Sequence, residues 1–338
     1  MKSLKKSVIK RTAIIIFVAV LAFSSAACSS GSKNTSQTGG EKYSGVTIRI
    51  AEQFGMHYAA AYVMEKLNLL DKYLPGAKLE VSQLSGGSTL NEALVAGQLD
   101  VGFMGIPPML IAWSKGADFR IAEGISVLPL DLMVKDKNIN SLKDIKPSDK
   151  IAVPGIGSIQ QIIISMAAKQ QLGDAKALDK NIVAMAHPDA YSALISGSDV
   201  TGHFCSIPYN DMEMKAGCHS ILTDTDVYGP SSIVCVTTKK FHDGNKEVYD
   251  GLMAALSDAI DLINAHDANA LQVIADTEKI STDDALRYVT WPNVKYDTKV
   301  YGSMGLAQFM YDQGLIDKCP ASTSDIMWDN AQPVDNNN

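Results

Sequence analysis

The chain has 338 residues, with 37 Asp and Glu against 30 Lys and Arg for a net charge of −7, and five cysteines, none of them in a CxxC pair. The acidic balance excludes nucleic acid as a partner, because phosphate recognition needs clustered Lys or Arg, and the cysteine spacing excludes a redox motif and a zinc knuckle. About 300 folded residues are enough for two modest cores.

At the N-terminus Lys2, Lys5, Lys6, Lys10 and Arg11 precede the apolar run Ala13 to Phe23, and small residues lead from there to Cys28. That order predicts a secretory signal over residues 1–27. The apolar run has 11 residues, against the roughly 20 a spanning helix needs, so it is not a transmembrane anchor. Ser24-Ser25-Ala26-Ala27-Cys28 resembles the bacterial lipobox, in which cleavage before a cysteine frees its amino group and its thiol receives a diacylglycerol; Cys28 is then the lipidation site. Ser25 departs from the branched aliphatic residue usual there, and the competing expectation is plain secretion with Cys28 unmodified. From Ser29 to Lys42 nothing aliphatic or aromatic occurs, which predicts a solvated tether over residues 28–42. Removing the signal takes away five positive charges and no negative ones, so the mature chain has 311 residues and its net charge falls from −7 to −12.

Val46 to Ile50 and Lys78 to Ser82 alternate apolar and polar around the amphipathic stretch Tyr58 to Leu70, the pattern of a βαβ unit. A helix from Thr89 to Ala96 stopped by Gly97, a strand from Val101 to Met104, and a helix opened by Pro107-Pro108 and closed near Gly116 continue it. A second set begins after Leu142, with strands at Ile151 to Val153 and near Ile182 and helices from Ile159 to Gln171 and Pro188 to Ser196. Short strands alternating with helices predict mostly parallel sheets.

The two sets repeat one another in letters. ALVAGQLDVGFMGIPP (Ala93 to Pro108) parallels ALISGSDVTGHFCSIPY (Ala193 to Tyr209), each running helix, glycine stop, strand, loop and Ile-Pro. Two lobes of similar construction follow. Ser126 to Val134 and Ser232 to Thr238 are β-rich with no helix beside them and read as paired hinge strands. From Asn245 onward helical spacing predicts helices packed on the first lobe.

In open α/β sheets ligands bind beyond the carboxyl ends of the strands, where unpaired N–H groups of helix starts point outward. The loops at those positions supply the candidate ligand-binding set: Phe54 and His57; Ser85, Gly86, Gly87 and Ser88; Gly105, Ile106 and Pro107; Gly157, Ser158, Ile159 and Gln160; and His203, Phe204, Ser206 and Tyr209. Glycines let the backbone approach a ligand, and Ser88 and Ser158 can offer hydroxyls at helix starts. None of these loops holds Lys or Arg. They therefore suit a monoanion or an uncharged heterocycle better than a multiply charged phosphate ester. His57 and His203 are expected to hydrogen-bond the ligand from opposite lobes. Phe54, Phe204 and Tyr209 supply apolar wall, and Met104 is expected in the core.

From Val46 to about Leu315 the chain resembles the substrate-binding proteins of nitrate, sulfonate and taurine type ABC importers. The resemblance rests on ALVAGQLDVGFMGIPP, SLKDIKPSDKIAVPGIGS, HPDAYSALISG and FMYDQGLID together. It implies an α/β two-lobe fold of the periplasmic-binding-protein-like type II class, with two β-strand hinge crossings and extra C-terminal helices. Lobe I would comprise residues 43–130 plus 235–338 and lobe II residues 131–234. Relatives contact ligand through the loops matching Ser85 to Ser88, Gly157 to Gln160 and His203 to Tyr209, although many have a Trp-Glu-Pro-Tyr type segment where this chain has Ser206-Ile207-Pro208-Tyr209.

The function so implied is an exported protein, lipid-anchored to the outer face of the bacterial cell membrane through Cys28. It would capture a small polar or monoanionic organic molecule, sulfonate-like, in the interlobe cleft and pass it to ABC importer permease subunits. A neutral heterocyclic vitamin precursor is the alternative ligand. No cofactor, metal or catalytic residue is expected, and the protein is expected to be a monomer. Two rival functions find little in the residues. An enzyme lacks GxSxG, HExxH and GxGxxG, since Gln160 replaces the third glycine after Gly155 and Gly157. A metal site built on His203, Cys205, Cys218 and His219 would ask two adjacent residues to reach one ion. Export permits a Cys205 to Cys218 disulfide, but four cysteines allow three full pairings.

Overall fold

Strand and helix alternate through the first lobe as β1 (Thr47–Glu52), α1 (Ala59–Lys66), β2 (Lys78–Gln83), α2 (Gly87–Val95), β3 (Val101–Gly105), α3 (Ile106–Ser114) and β4 (Phe119–Ser126). The second lobe follows as β5 (Asp131–Val134), β6 (Ile151–Val153), α4 (Ile159–Leu172), β7 (Ile182–Ala184), α5 (His187–Ser196), β8 (Gly202–Cys205), α6 (Tyr209–Lys215) and β9 (His219–Thr223). The chain then returns through β10 (Ile233–Thr238) to α7 (Lys239–Gly244), α8 (Lys246–Asn264), α9 (Ala268–Glu278), α10 (Thr282–Val289), β11 (Lys299–Tyr301), α11 (Ser303–Asp312) and β12 (Gln332–Val334). This is a computed structural model, and it describes residues 42–334. The secretory segment, Cys28 and the tether as far as residue 41 lie outside the described residues. Among those described, no helix is long and apolar enough to cross a membrane.

The sheet orders are β2-β1-β3-β10-β4 and β7-β6-β8-β5-β9. They are equivalent strand for strand. In each, three parallel strands are followed by one antiparallel strand lying beside the strand of the repeated motif. That neighbour is β10 against β3 in one lobe and β5 against β8 in the other. The repeat therefore has a structural counterpart in α2-β3-α3 and α5-β8-α6. Gly97 and Gly197 stand just past the two leading helices at φ 69° and φ 70°, a left-handed conformation that stops a helix cheaply only with glycine. Pro107 and Pro108 fall in the first turn of α3, where a missing N–H breaks no intrahelical bond.

The expected hinge strand from Ser126 to Val134 is not continuous. It divides into the end of β4 and the start of β5, and residues 127–130 cross between the sheets. Pro129 has no N–H for a ladder, and Val127 pairs outside both sheets, with Lys295. The return crossing runs from β9 to β10, and the two crossings lie side by side, with Ile233 opposite Ser126 at one end and Asp131 opposite Thr223 at the other.

Three apolar clusters hold the fold. One lies between the first sheet and α1, α8 and α9, and includes Ile48, Ile50, Met64, Leu252, Leu256 and Ile274. A second belongs to the far side of the second lobe, around Met133, Ala152, Leu194 and Cys205. The third joins the lobes: Leu90, Met109 and Leu110 of α2 and α3 belong to the same cluster as Ile159, Ile163 and Met166 of α4. The C-terminal segment carries helices as expected, but also β11 and β12, a short parallel pair, and Met327 bridges to Ile121 in β4. Strands of three residues leave no periodicity to read. Cys205, Cys218, Cys235 and Cys319 are free thiols.

Candidate functional site

A cavity of about 420 Å³ of atom-free space, partly open to solvent, lies where the carboxyl ends of the strands in the two sheets meet. From the first sheet, β1 delivers Gln53 and Phe54 to its wall, and the short turn Met56–Tyr58 delivers His57 and Tyr58. Gln53 is held by donating Nε2–H to the Phe103 carbonyl at 3.1 Å. The backbone of the turn is pinned by two donors, Ser126 Oγ–H to the His57 carbonyl at 2.7 Å and Tyr296 O–H to the Met56 carbonyl at 2.9 Å.

With its backbone fixed, the His57 ring lies buried on the wall, and neither of its nitrogens has a partner. Burial, and secondarily the nearby His187, push it down to about 3, so it is neutral and presents one donor and one acceptor. An unpartnered buried polar group of this kind costs free energy unless something meets it.

Four helices begin on the same wall. Gly87 opens α2, Gly105 precedes α3, Ser158 precedes α4 with Ile159 and Gln160 in its first turn, and His187 opens α5. Each helix start presents a partial positive charge and N–H groups without intrahelical acceptors, fewer of them at α3 and α5, where Pro107, Pro108 and Pro188 have none. Two come from each lobe. No lining residue is Lys or Arg. Glu52, next to Gln53 in sequence but not a lining residue, is buried with Oε2 unpartnered, and burial, followed by Glu65 and Glu278, lifts it to about 8. It is thus uncharged at neutral pH and does not repel an anion.

The rims touch. A Cβ at Gly86 would stand 2.4 Å from the Pro154 carbonyl oxygen, and one at Gly157 would stand 2.5 Å from Ile111 Cδ1. At Gly86 the neighbour is backbone, so only glycine lets the lobes approach this closely; at Gly157 the neighbour is the end of a flexible side chain, and it is the φ of 78° that favours glycine. A second tie lies on another face, where Arg287 of α10 donates to both carboxylate oxygens of Asp211 in α6, at 3.2 and 2.8 Å, and Tyr288 O–H donates to the same carboxylate at 2.5 Å. Burial opposes ionisation of Asp211, but the hydrogen bonds from Arg287, Lys215 and Tyr288 overcome it and hold the carboxyl well below the usual range.

Of the residues predicted from sequence, Phe54, His57, Ser85, Gly87, Gly105, Ser158, Ile159 and Gln160 line this cavity. Gly86 and Gly157 make the rim contacts. Ile106 is buried in the core and Pro107 is buried in the first turn of α3. Ser88 faces a separate surface hollow beside Asn91 and Ile111. Ser206 is buried with its hydroxyl directed to the Ile207 carbonyl at 3.3 Å. Along β8 successive side chains alternate faces, which sends Phe204 into the interlobe cluster and His203 to the opposite side. There His203 is fully buried and its Nε2 lies 2.7 Å from Nδ1 of His187. Tyr209 stacks on His187 at 5.4 Å between ring centroids. Met104 is in the core as expected.

His187 is the lining residue that sequence reasoning passed over, along with Gln53, Tyr58, Pro108, Pro154 and Ile233. A signal existed: His187-Pro188 opens a helix directly after β7, the placement used to choose the other loops. Behind it, His203 Nδ1 lies 2.6 Å from Glu213 Oε1, and Cys205 S–H donates to Glu213 Oε2 at 3.3 Å. These residue types also bind metals, but two ligands on one tetrahedral ion stand about 3.3 Å apart. The His203–Glu213 spacing is that of a hydrogen bond.

The sequence matches the model of the NMT1-like family over residues 46–277. No curated protein matches it significantly. Among solved structures it is similar to the alkanesulfonate-binding protein from Xanthomonas axonopodis pv. citri bound to MOPS, at 18% identity and TM-score 0.69, covering 84% of this chain and 98% of that one. It is also similar to the periplasmic aliphatic sulphonate binding protein from Escherichia coli, at 21% identity and TM-score 0.63, with 84% and 98% covered. A third likeness is to the periplasmic nitrate-binding protein from Synechocystis, at 13% identity and TM-score 0.67, with 83% and 84% covered. The two-lobe α/β fold is thus that of periplasmic binding proteins.

Proposed function

The chain belongs to the NMT1-like family, and on that footing we propose that it is an extracytoplasmic solute-binding lipoprotein of an ABC import system. It captures a small polar or monoanionic organic molecule, sulfonate-like, between its lobes and passes it to permease subunits. Lobe I, residues 43–130 with 235–338, and lobe II, residues 131–234, act as the two jaws, and Cys28 carries the lipid that holds the protein at the outer face of the membrane.

The observation that supports this reading is the cavity wall: four helix starts, two from each lobe, with neutral donors and no fixed cation. Converging N–H groups satisfy a single negative charge, whereas a doubly charged phosphate ester calls for Arg or Lys. The close walls admit only a compact solute. One feature favours a second ligand class: the unpartnered donor and acceptor of His57, beside Phe54 and Tyr58, also match a flat neutral heterocycle with both polarities on its edge.

The reading includes no catalytic step. The test is a thermal-shift screen of purified protein against methanesulfonate, taurine, nitrate and small pyrimidines, since a ligand that binds only the folded state raises its melting temperature. A saturable rise with a sulfonate supports the reading. A rise only with pyrimidines moves it to the heterocycle class, and consumption of the bound molecule would replace it with an enzyme.

A further inference from the structure

Glu213, His203 and His187 form a buried line that ends at the cavity. The spacings are 2.6 Å from Glu213 Oε1 to His203 Nδ1 and 2.7 Å from His203 Nε2 to His187 Nδ1. Glu213 and His203 are wholly buried, and His187 is buried with its ring on the cavity wall. Burial lowers both imidazoles far enough that each is neutral at any ordinary pH.

A neutral imidazole has one N–H, so it donates at one nitrogen and accepts at the other. Two such rings joined by a hydrogen bond cannot choose independently. If Glu213 is a carboxylate, it accepts from His203 Nδ1–H, His203 Nε2 accepts from His187 Nδ1–H, and His187 Nε2 is left as an acceptor. If Glu213 is a carboxylic acid, its O–H donates to His203 Nδ1, His203 Nε2–H donates to His187 Nδ1, and His187 Nε2–H becomes a donor. The passage between the states balances. A proton arriving at His187 Nε2 sends the Nδ1 proton to His203 Nε2, whose own Nδ1 proton passes to Glu213. One proton is taken up, and both rings are neutral before and after.

We propose that this line is the specificity device of the second lobe: a proton on Glu213 makes His187 a donor suited to a monoanion's oxygen, and its loss makes His187 an acceptor that rejects one. The proposal rests on the solute-binding reading above and deepens it to a monoanion bound together with one proton. The groups facing the line are Cys205 from β8, Tyr209 from α6, which stacks on His187, His57 from the first lobe, and Cys218 from the turn after α6, with Asp131 of β5 acting on Cys205 and Lys135 and Lys137 acting on Cys218. Burial lifts Glu213 to about 8, against the opposing hydrogen bond from Cys205, which puts the acid form, and the donor state of His187, in the majority at neutral pH.

The test is long-range proton–nitrogen NMR of the wild-type chain labelled with ¹⁵N-histidine, recorded from pH 6 to pH 10. The expected result is a tautomer change from Nε2–H to Nδ1–H at His187 and His203 together, with one midpoint. Fixed tautomers, or two rings that change separately, would overturn the proposal, and this measurement needs no variant to fold. In Glu213→Gln the amide N–H replaces the acid proton toward His203 and the amide oxygen still accepts from Cys205, so both rings should keep Nε2–H across the range. Calorimetry with methanesulfonate, which has acceptors and no donor, should show affinity falling about tenfold or more from pH 6 to pH 9.5 in wild type and remaining level in Glu213→Gln. Equal pH dependence in the two proteins would count against the relay. A tautomer change with no affinity for methanesulfonate at any pH would support the relay and overturn the sulfonate reading.

Discussion

Leu130 and Asp224 hold each other across the two chain crossings: the Leu130 N–H donates to Asp224 Oδ1 at 3.1 Å, and the Asp224 N–H donates to the Leu130 carbonyl at 3.1 Å. Leu130 ends the outward crossing and Asp224 starts the return, so this reciprocal pair joins the hinge where neither sheet reaches.

Asp224→Ala removes the acceptor and leaves the buried Leu130 N–H unpaired, a loss of roughly 1–3 kcal/mol. Asp224→Asn keeps an acceptor and should retain most of the stability. Urea denaturation of the two variants checks this, and equal losses in both would show that the charge rather than the acceptor matters.

Gly86→Ala puts a methyl group against the Pro154 carbonyl without straining a backbone already extended at φ −174°. The fold should survive while the rims are held apart. Small-angle scattering should give a larger radius of gyration than wild type, and any ligand-induced thermal shift should be reduced by more than half.

His57→Phe replaces two unpartnered buried nitrogens with carbon. The unliganded protein should gain up to about 1–2 kcal/mol, and solute binding should be lost. Binding retained in the variant would remove His57 from the contact set.

Stability should peak on the acid side of neutrality. Burial lifts Glu52 and Glu123 to about 8 and Glu278 to about 7, above the value near 4.3 of an unfolded chain. Their protonated forms favour the fold fully below that value, and the contribution is lost as pH rises through 7 to 8. His57, pushed down to about 3 by burial, acts in the opposite sense: its contribution is present above pH about 6.5 and is lost as pH falls toward 3. Between about pH 4.3 and 6.5 the three carboxyls outweigh the one imidazole, so melting temperatures should be highest at about pH 4 to 5 and fall toward pH 9, with the acid-side decline from His57 setting in below about pH 4. A maximum at pH 8 or above would contradict the assignment of the buried carboxyls.

Breaking the Arg287–Asp211 tie should loosen the closed arrangement with little effect on folding, since half-exposed Arg287 contributes modestly to stability. Arg287→Ala is expected to speed ligand dissociation several-fold in stopped-flow measurements, with a smaller change in association.

The architecture was legible because its punctuation is chemical. Gly97 and Gly197 stop helices, Pro107-Pro108 opens one, and the two copies of the helix-strand-helix motif are visible in letters. The cavity was read less fully. Ser85 and Ser158 reach the wall, but Ser88 turns outward one residue along a helix, a distinction of about 100° that loop placement does not encode. His203 and Phe204 illustrate the same limit on a strand, where adjacent residues face opposite ways. The line from Glu213 to His187 joins residues that are 10 and 16 positions apart, and only the packing of α5 and α6 on β8 brings them into register.

The even division of helix starts between the lobes has a kinetic consequence. A molecule resting on one jaw meets two of the four, and its residence there is shortened exponentially by the contacts it has not yet made. If the lobes close on solute as the proposed function requires, poorly shaped solutes leave while the mouth is still ajar, and discrimination happens before enclosure rather than after it.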